Sequence, residues 1–135
     1  MSKQGAAPTP GPIDVTLSVD YSNGEFTITG GDNNGPEVTI PQGDNNRIVW
    51  NRASGQSWRF TEFSLQYALA NDGTGNPILI DSTFRSTVSP TQVVLVDNNR
   101  DANPYDAYLK YSVTIADSSG SHTCDPYIIN KSATP

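Results

Sequence analysis

Leu109, Tyr111, Val113 and Ile115 put an apolar side chain at every second position, with Tyr108, Lys110, Ser112 and Thr114 between them. A period of two marks a strand with one face in a core, and a helix cannot bring those residues onto one side. The same alternation marks residues 13–19, where Ile13, Val15, Leu17 and Val19 share a face against Asp14, Thr16 and Ser18. Asn23-Gly24 then gives a strong signal for a two-residue type I′ hairpin turn, leading into Phe26-Thr27-Ile28-Thr29. No segment holds an apolar period of 3.6 over the length of a helix. The chain is committed to sheet.

Further short strands are expected at 37–40, 47–51, 58–65, 78–80, 83–88, 92–96 and 127–129. Between them, 11 Gly and 10 Pro, with many Asn and Asp, supply turns at 30–35, 43–46, 71–77, 97–106 and 117–121. The apolar phase slips between Trp58/Phe60 and Phe63/Leu65, which predicts a β-bulge. Residues 67–70 read as a helical turn or an irregular crossing. The expected fold is all-β, a single-domain antiparallel β-sandwich or barrel of about eight to nine short strands. It spans residues 13–131, with a disordered Pro-rich tail at 1–12 and a short tail at 132–135. The strand phases place Val15, Leu17, Ile48, Trp50, Phe60, Leu95, Leu109, Tyr111, Val113 and Ile115 in the core.

A net charge of -6, with only eight scattered Lys and Arg, excludes a nucleic-acid surface, which needs clustered cations. No apolar run approaches the roughly 20 residues of a membrane helix, so no membrane partner is expected. No apolar segment follows Lys3, so no signal peptide is visible and the expected location is cytoplasmic. One cysteine excludes an intramolecular disulfide.

The stretch around Asp125-Pro126 carries the chemistry. It holds the sequence's one Asp-Pro bond, with the lone His122 and lone Cys124 beside it. An aspartate carboxyl can attack its own backbone carbonyl to form a cyclic anhydride, and the basic proline nitrogen leaves readily once protonated. Asp14, Asp20 and Asp44 are candidate second carboxylates, although no acidic residue sits in an Asp-Thr/Ser-Gly loop. His122, Cys124 and Asp125 could face one ion, but a copper or structural zinc site needs more His or Cys than this chain has. No metal or other cofactor is expected. A Cys124–His122 nucleophile pair lacks an orienting third group. Trp50, Trp58, Phe60, Phe63 and the tyrosines suit a glycan platform or, more simply, a core.

The run Asp125-Pro126-Tyr127-Ile128-Ile129-Asn130-Lys131 resembles the Asp-Pro-x-Ile-Ile-Asn ending of the DP-EP family, small bacterial proteins long classed as a domain of unknown function. Weaker likenesses lie in Val15-Thr16-Leu17-Ser18-Val19-Asp20 with Asn23-Gly24, in Ile48-Val49-Trp50, in Trp58-Arg59-Phe60 and in Val94-Leu95-Val96-Asp97. The resemblance implies a compact β-barrel or sandwich and aspartic-peptidase-like self-cleavage at the Asp-Pro bond. Asp125 would then be the reacting carboxyl, Pro126 would carry the leaving nitrogen, and Lys110 would be the family's lysine on the preceding strand. Phe26 stands where the family pattern has an aromatic hydroxyl, and Cys124 where it has a proline or small residue. Two readings stay open: self-cleavage at Asp125–Pro126, or a non-enzymatic binding or assembly module for a protein or glycan, self-association included.

Overall fold

The expected alternation becomes strand along nearly the whole of the chain. The structure, a computed structural model, describes residues 12–70, 82–100 and 106–131. Residues 1–11 of the expected tail at 1–12, the expected strand at 78–80 and loop at 71–77, part of the 97–106 turn, and the tail at 132–135 lie outside the described residues. Among the described residues ten strands are formed: β1 Asp14–Ser22, β2 Glu25–Thr29, β3 Val38–Ile40, β4 Gly43–Arg52, β5 Arg59–Ala70, β6 Thr83–Val88, β7 Gln92–Asn99, β8 Ala107–Asp117, β9 Gly120–Cys124 and β10 Tyr127–Asn130. A short 3-10 turn, Asp32–Asn34, lies between β2 and β3. No helix among the described residues is long and apolar enough to cross a membrane.

The strands form two five-stranded sheets. One has the order β2-β1-β4-β7-β6; the other runs β9-β8-β10-β3, with β5 along the opposite edge of β8. No strand pairing joins the two sheets among the described residues, so they form a sandwich rather than a closed barrel. Each sheet contains one parallel pair, β1 with β4 and β10 with β3, where a purely antiparallel arrangement was expected. Alternation fixes which face is buried, but not the direction of the neighbouring strand.

The core is continuous between the sheets. Leu17 and Val19 meet Ile48, Trp50 and Leu95 from one side, and Leu109, Tyr111, Val113, Ile115 and Ile128 from the other. All are 0–1% exposed, and each apolar side chain removed from water contributes roughly 1.5–3 kcal/mol. Phe60 is buried as expected; Val15 is only half-buried. β2 begins to pair at Ser18, so β1 is an edge strand at Val15 and has no β2 residue beside it.

The Asn23-Gly24 hairpin forms with both turn residues at positive φ, 54° and 78°, as a type I′ turn requires. The expected bulge is present as a register shift between Phe60 and Glu62, with a second between Leu65 and Tyr67. Residues 67–70 continue β5, because β8 supplies an unbroken partner as far as Ala107. The expected turn at 43–46 is instead the start of β4. There Asp44 and Asn45 bulge opposite Asn98, whose Oδ1 accepts from the Asn45 N–H at 2.7 Å.

Among the described residues four polar side chains are completely or almost completely buried: Asn46, Asp97, Asn99 and Asn130. They knit the place where the chain leaves β3, passes Pro41 and enters β4 in the other sheet. The Asn46 amide shares its N–H groups among the carbonyls of Gly43 (3.0 Å), Asp97 (3.2 Å) and Pro41 (3.3 Å), while its oxygen accepts from Ile13 N. The Asn99 amide does the same for Ile40 (3.0 Å), Lys131 (3.0 Å) and Pro41 (3.2 Å). The Asn130 amide reaches Ser82 Oγ and Asp97 Oδ1 at 3.2 and 3.3 Å. Side-chain amides thus add hydrogen bonds to the backbone carbonyls where the chain crosses between the sheets.

Candidate binding groove at the Asp125–Pro126 break

β9 and β10 are two parts of one strand. Cys124 stands opposite Val113 and Tyr127 opposite Lys110, and these two pairs share one register on the same edge of β8. Asp125 therefore falls opposite Ser112, and Pro126 opposite Tyr111. The Tyr111 N–H donates to the Pro126 carbonyl at 3.2 Å. Proline has no N–H to return the bond, so the ladder loses one rung there.

Asp125 is exposed, and its Oδ1 accepts from Ser112 Oγ at 2.6 Å. Beside it, the Thr114 and Thr123 hydroxyls are 2.9 Å apart. Lys110 shares the outward phase of β8 with Ser112, but no ion pair joins it to Asp125 among the described residues. The three candidate second carboxylates all lie elsewhere: Asp14 pairs with Arg47 at 3.4 Å, Asp44 with Arg100 at 2.7 Å, and Asp20 accepts from Ser22 at 2.8 Å. The group that touches Asp125 is a hydroxyl. Sequence reasoning missed Ser112, although the hairpin at 117–120 places it directly across.

His122 and Cys124 take the inward phase of β9. The His122 ring stacks on Tyr21 of the facing sheet with centroids 4.6 Å apart, and its Nε2 lies 3.0 Å from Asp117 Oδ1 and 3.1 Å from Ser119 Oγ. Hydrogen bonds from Ser119 and His122 hold the Asp117 carboxyl down at about 2. Burial, and then the charge of Asp125, push the Cys124 thiol up to about 12. A thiol so shifted stays protonated at neutral pH, and His122 is occupied with Asp117, so the two do not form an activated nucleophile pair. Among the described residues no three His, Cys, Asp or Glu gather as metal ligands. Trp50, Phe63 and Tyr111 pack together with centroids 5.0–5.4 Å apart, and Trp58 meets Phe60 edge-on at 5.0 Å. These rings are buried, so they build the core rather than a glycan platform.

Beside the strand break lies a groove of about 450 Å³, bounded by Phe26, Ile28, Pro36, Cys124, Asp125 and Pro126. Its walls are the edge of β2 and the edge of β9. β3 pairs with β10 from Val38 to Ile40, which brings Pro36 level with Pro126. Before Pro36 the chain turns away through the 3-10 turn, closed by Gly31 N to Gly35 O and Asp32 N to Glu37 O. Gly31 has to be glycine, since a Cβ there would run into the Glu37 and Gly35 carbonyl oxygens. The Tyr111 hydroxyl donates to the Pro36 carbonyl at 3.3 Å and fixes the point of departure. Among the described residues no strand lies beyond Pro36 along β9. A larger hollow of about 520 Å³ adjoins Thr16, Ser18, Asn51 and Arg52, but it lies away from this break, and Arg52 there is already committed to the Trp58 carbonyl at 2.6 Å.

No family model matches the chain, and no curated protein matches it in sequence.

Proposed function

We propose that this protein is a binding module that holds an extended segment of another protein in the groove beside Asp125–Pro126. The observation that carries the reading is the groove itself, apolar in its walls and lying between two strand edges that no described strand covers. Concave apolar surface with a few polar groups at its rim is the usual form of a recognition site. In this reading Asp125–Pro126 is the interruption that ends pairing, and Ser112 holds the carboxylate in place. Panning a random-peptide display library on the folded protein tests it. Enriched peptides that no longer bind a folded Phe26→Ser variant are expected. No enrichment, or enrichment indifferent to Phe26, would reject the module.

Slow self-cleavage at Asp125–Pro126 is the second reading, and the Ser112 hydrogen bond favours it by restricting the rotation of the Asp125 carboxyl. Its oxygen would attack the Asp125 backbone carbonyl carbon, and the carboxyl proton would pass to the Pro126 nitrogen as the peptide bond breaks. Water would then open the anhydride to a C-terminal aspartate. Intact mass under denaturing conditions separates the readings, because a released strand starting at Pro126 can stay paired in the native protein. The binding module expects one unchanged mass over days at mildly acidic pH. Self-cleavage expects a fragment ending at Asp125, abolished by Asp125→Ala.

A further inference from the structure

We infer that the groove takes a basic, extended peptide that adds a strand to the free edge of β9; this rests on the binding-module reading and specifies its partner. The backbone is already arranged for it. In an antiparallel ladder the residues alternate between pairs that exchange hydrogen bonds and pairs that do not. The bond from Tyr111 N to Pro126 O identifies the exchanging set, so Cys124, His122 and Gly120 turn their N–H and C=O groups toward β8. Ser121, Thr123 and Asp125 turn theirs the other way, into the lane that β3 leaves at Pro36. Natural sheets guard such edges with proline, a bulge or a covering loop, because unpaired N–H and C=O groups recruit a strand. β9 has none of these above Pro126 among the described residues.

Side chains and charge select the partner. A strand in this lane would send alternate side chains inward, where Phe26, Ile28, Cys124 and Pro126 offer apolar contact. The elements that border the lane carry Glu25, Asp32, Glu37 and Asp125, and no Lys or Arg occurs from residue 20 to 46 or from 118 to 126. The bordering field is acidic. It favours a peptide with apolar residues on one phase and Lys or Arg on the other, and it opposes a second copy of a chain whose net charge is -6. Main-chain bonds would supply affinity, and the alternate side chains would supply choice.

Three synthetic peptides of about nine residues, with valine at alternate positions and Lys, Ser or Glu between them, test this by ¹H–¹⁵N titration of the full chain. The Lys peptide is expected to shift the amides of Ser121, Thr123 and Asp125, and to bind about tenfold or more tighter than the Glu peptide, less so in about 0.5 M salt. N-methylation of its edge-facing amides should abolish binding, and N-methylation of the other amides should not. Thr123→Pro removes an outward-facing N–H on an edge strand, where proline is tolerated, and should lose binding while keeping a native spectrum. Equal binding by the Ser peptide would overturn the charge argument and leave the module intact. Binding by none of the three would overturn this inference, while display-selected ligands sensitive to Phe26 would still uphold the module. Dimerisation with the same amides perturbed would make the occupant a second copy. Slow hydrogen exchange at Ser121, Thr123 and Asp125 in the free protein would mean that the lane is already filled by a segment of this chain.

Discussion

Tyr111→Phe removes one oxygen atom and tests how the core is joined to the groove. The Tyr111 ring is 0% exposed and packs on Trp50 and Phe63 at centroid distances of 5.0 and 5.4 Å, contacts that phenylalanine keeps. Its hydroxyl accepts from Trp50 Nε1 at 3.2 Å and donates to the Pro36 carbonyl at 3.3 Å. Burial raises the phenol far above the ordinary tyrosine range, although the Trp50 bond opposes the shift, so the group stays neutral at any ordinary pH. The variant leaves a buried indole N–H with no acceptor, which costs about 1–3 kcal/mol, whereas loss of the bond to the carbonyl of the exposed Pro36 adds little. With no cavity to speak of, the expected loss is about 2 kcal/mol. For a domain of this size that lowers Tm by about 8 °C. Urea unfolding followed by tryptophan fluorescence should show a lower midpoint at an unchanged slope. A loss below about 0.5 kcal/mol would refute the reasoning, since it would mean that the indole finds another acceptor.

Val113→Ala should cost about 1–3 kcal/mol in the same assay, because Val113 is fully buried opposite Cys124; a change typical of a surface position would mean that the phase of β8 is misread. The Asp117 carboxyl is lowered from 3.8 to about 2, so its bonds to Ser119 and His122 stabilise the hairpin above pH 3.8, and that contribution is lost as pH falls through about 2. The gap in urea midpoint between wild type and Asp117→Asn should therefore be present at pH 5 and shrink toward pH 2; a constant gap would show that the charge has no part in it. Cys124, with its thiol raised to about 12, should react with iodoacetamide about tenfold or more slowly in the native protein than in urea at pH 8, and equal rates would contradict its burial.

Strand positions and core were legible wherever one face is buried and the other is wet, as in β8, because alternation reports burial directly. Leu109 to Ile115 are the clearest instance. The pairing partners were not legible. Nothing in Asp14–Val19 says that its neighbour is the parallel β4, since the pairing residues are far apart in sequence and every strand has the same period. Asp97 and Asn99 were read as turn residues because polar side chains favour loops, yet they hold the inward phase of β7, where Asn99 donates to the Ile40 and Lys131 carbonyls and Asp97 accepts from the Asn130 amide, partners that arrive only once β3 and β10 have come together. Around Asp125, the short strand after Pro126 was readable, but β9 before it was not, because residues 117–121 read as a turn. Ser112 required the hairpin register, and the groove required knowing where β3 turns away.

The amides of Asn99 and Asn130 also set an order of events in time. β3 has β10 as its strand neighbour, and Lys131, just after β10, supplies the carbonyl shared by Asn99 and Gln42. Residues 127–131 are the last of the described segments to be synthesised. A nascent chain that has already made β1 to β8 still holds Val38 and Ile40 without their lane, and Asn99 without one of its acceptors. Closing that seam joins residues separated by most of the chain, and such long-range pairing is slow because the loop entropy is lost before the contacts form. The sandwich is thus sealed by the last of its described strands. A chain arrested before Tyr127 would carry an open sheet edge and unsatisfied interior amides, a state that chaperones and proteases recognise, and the finished strand removes both at once.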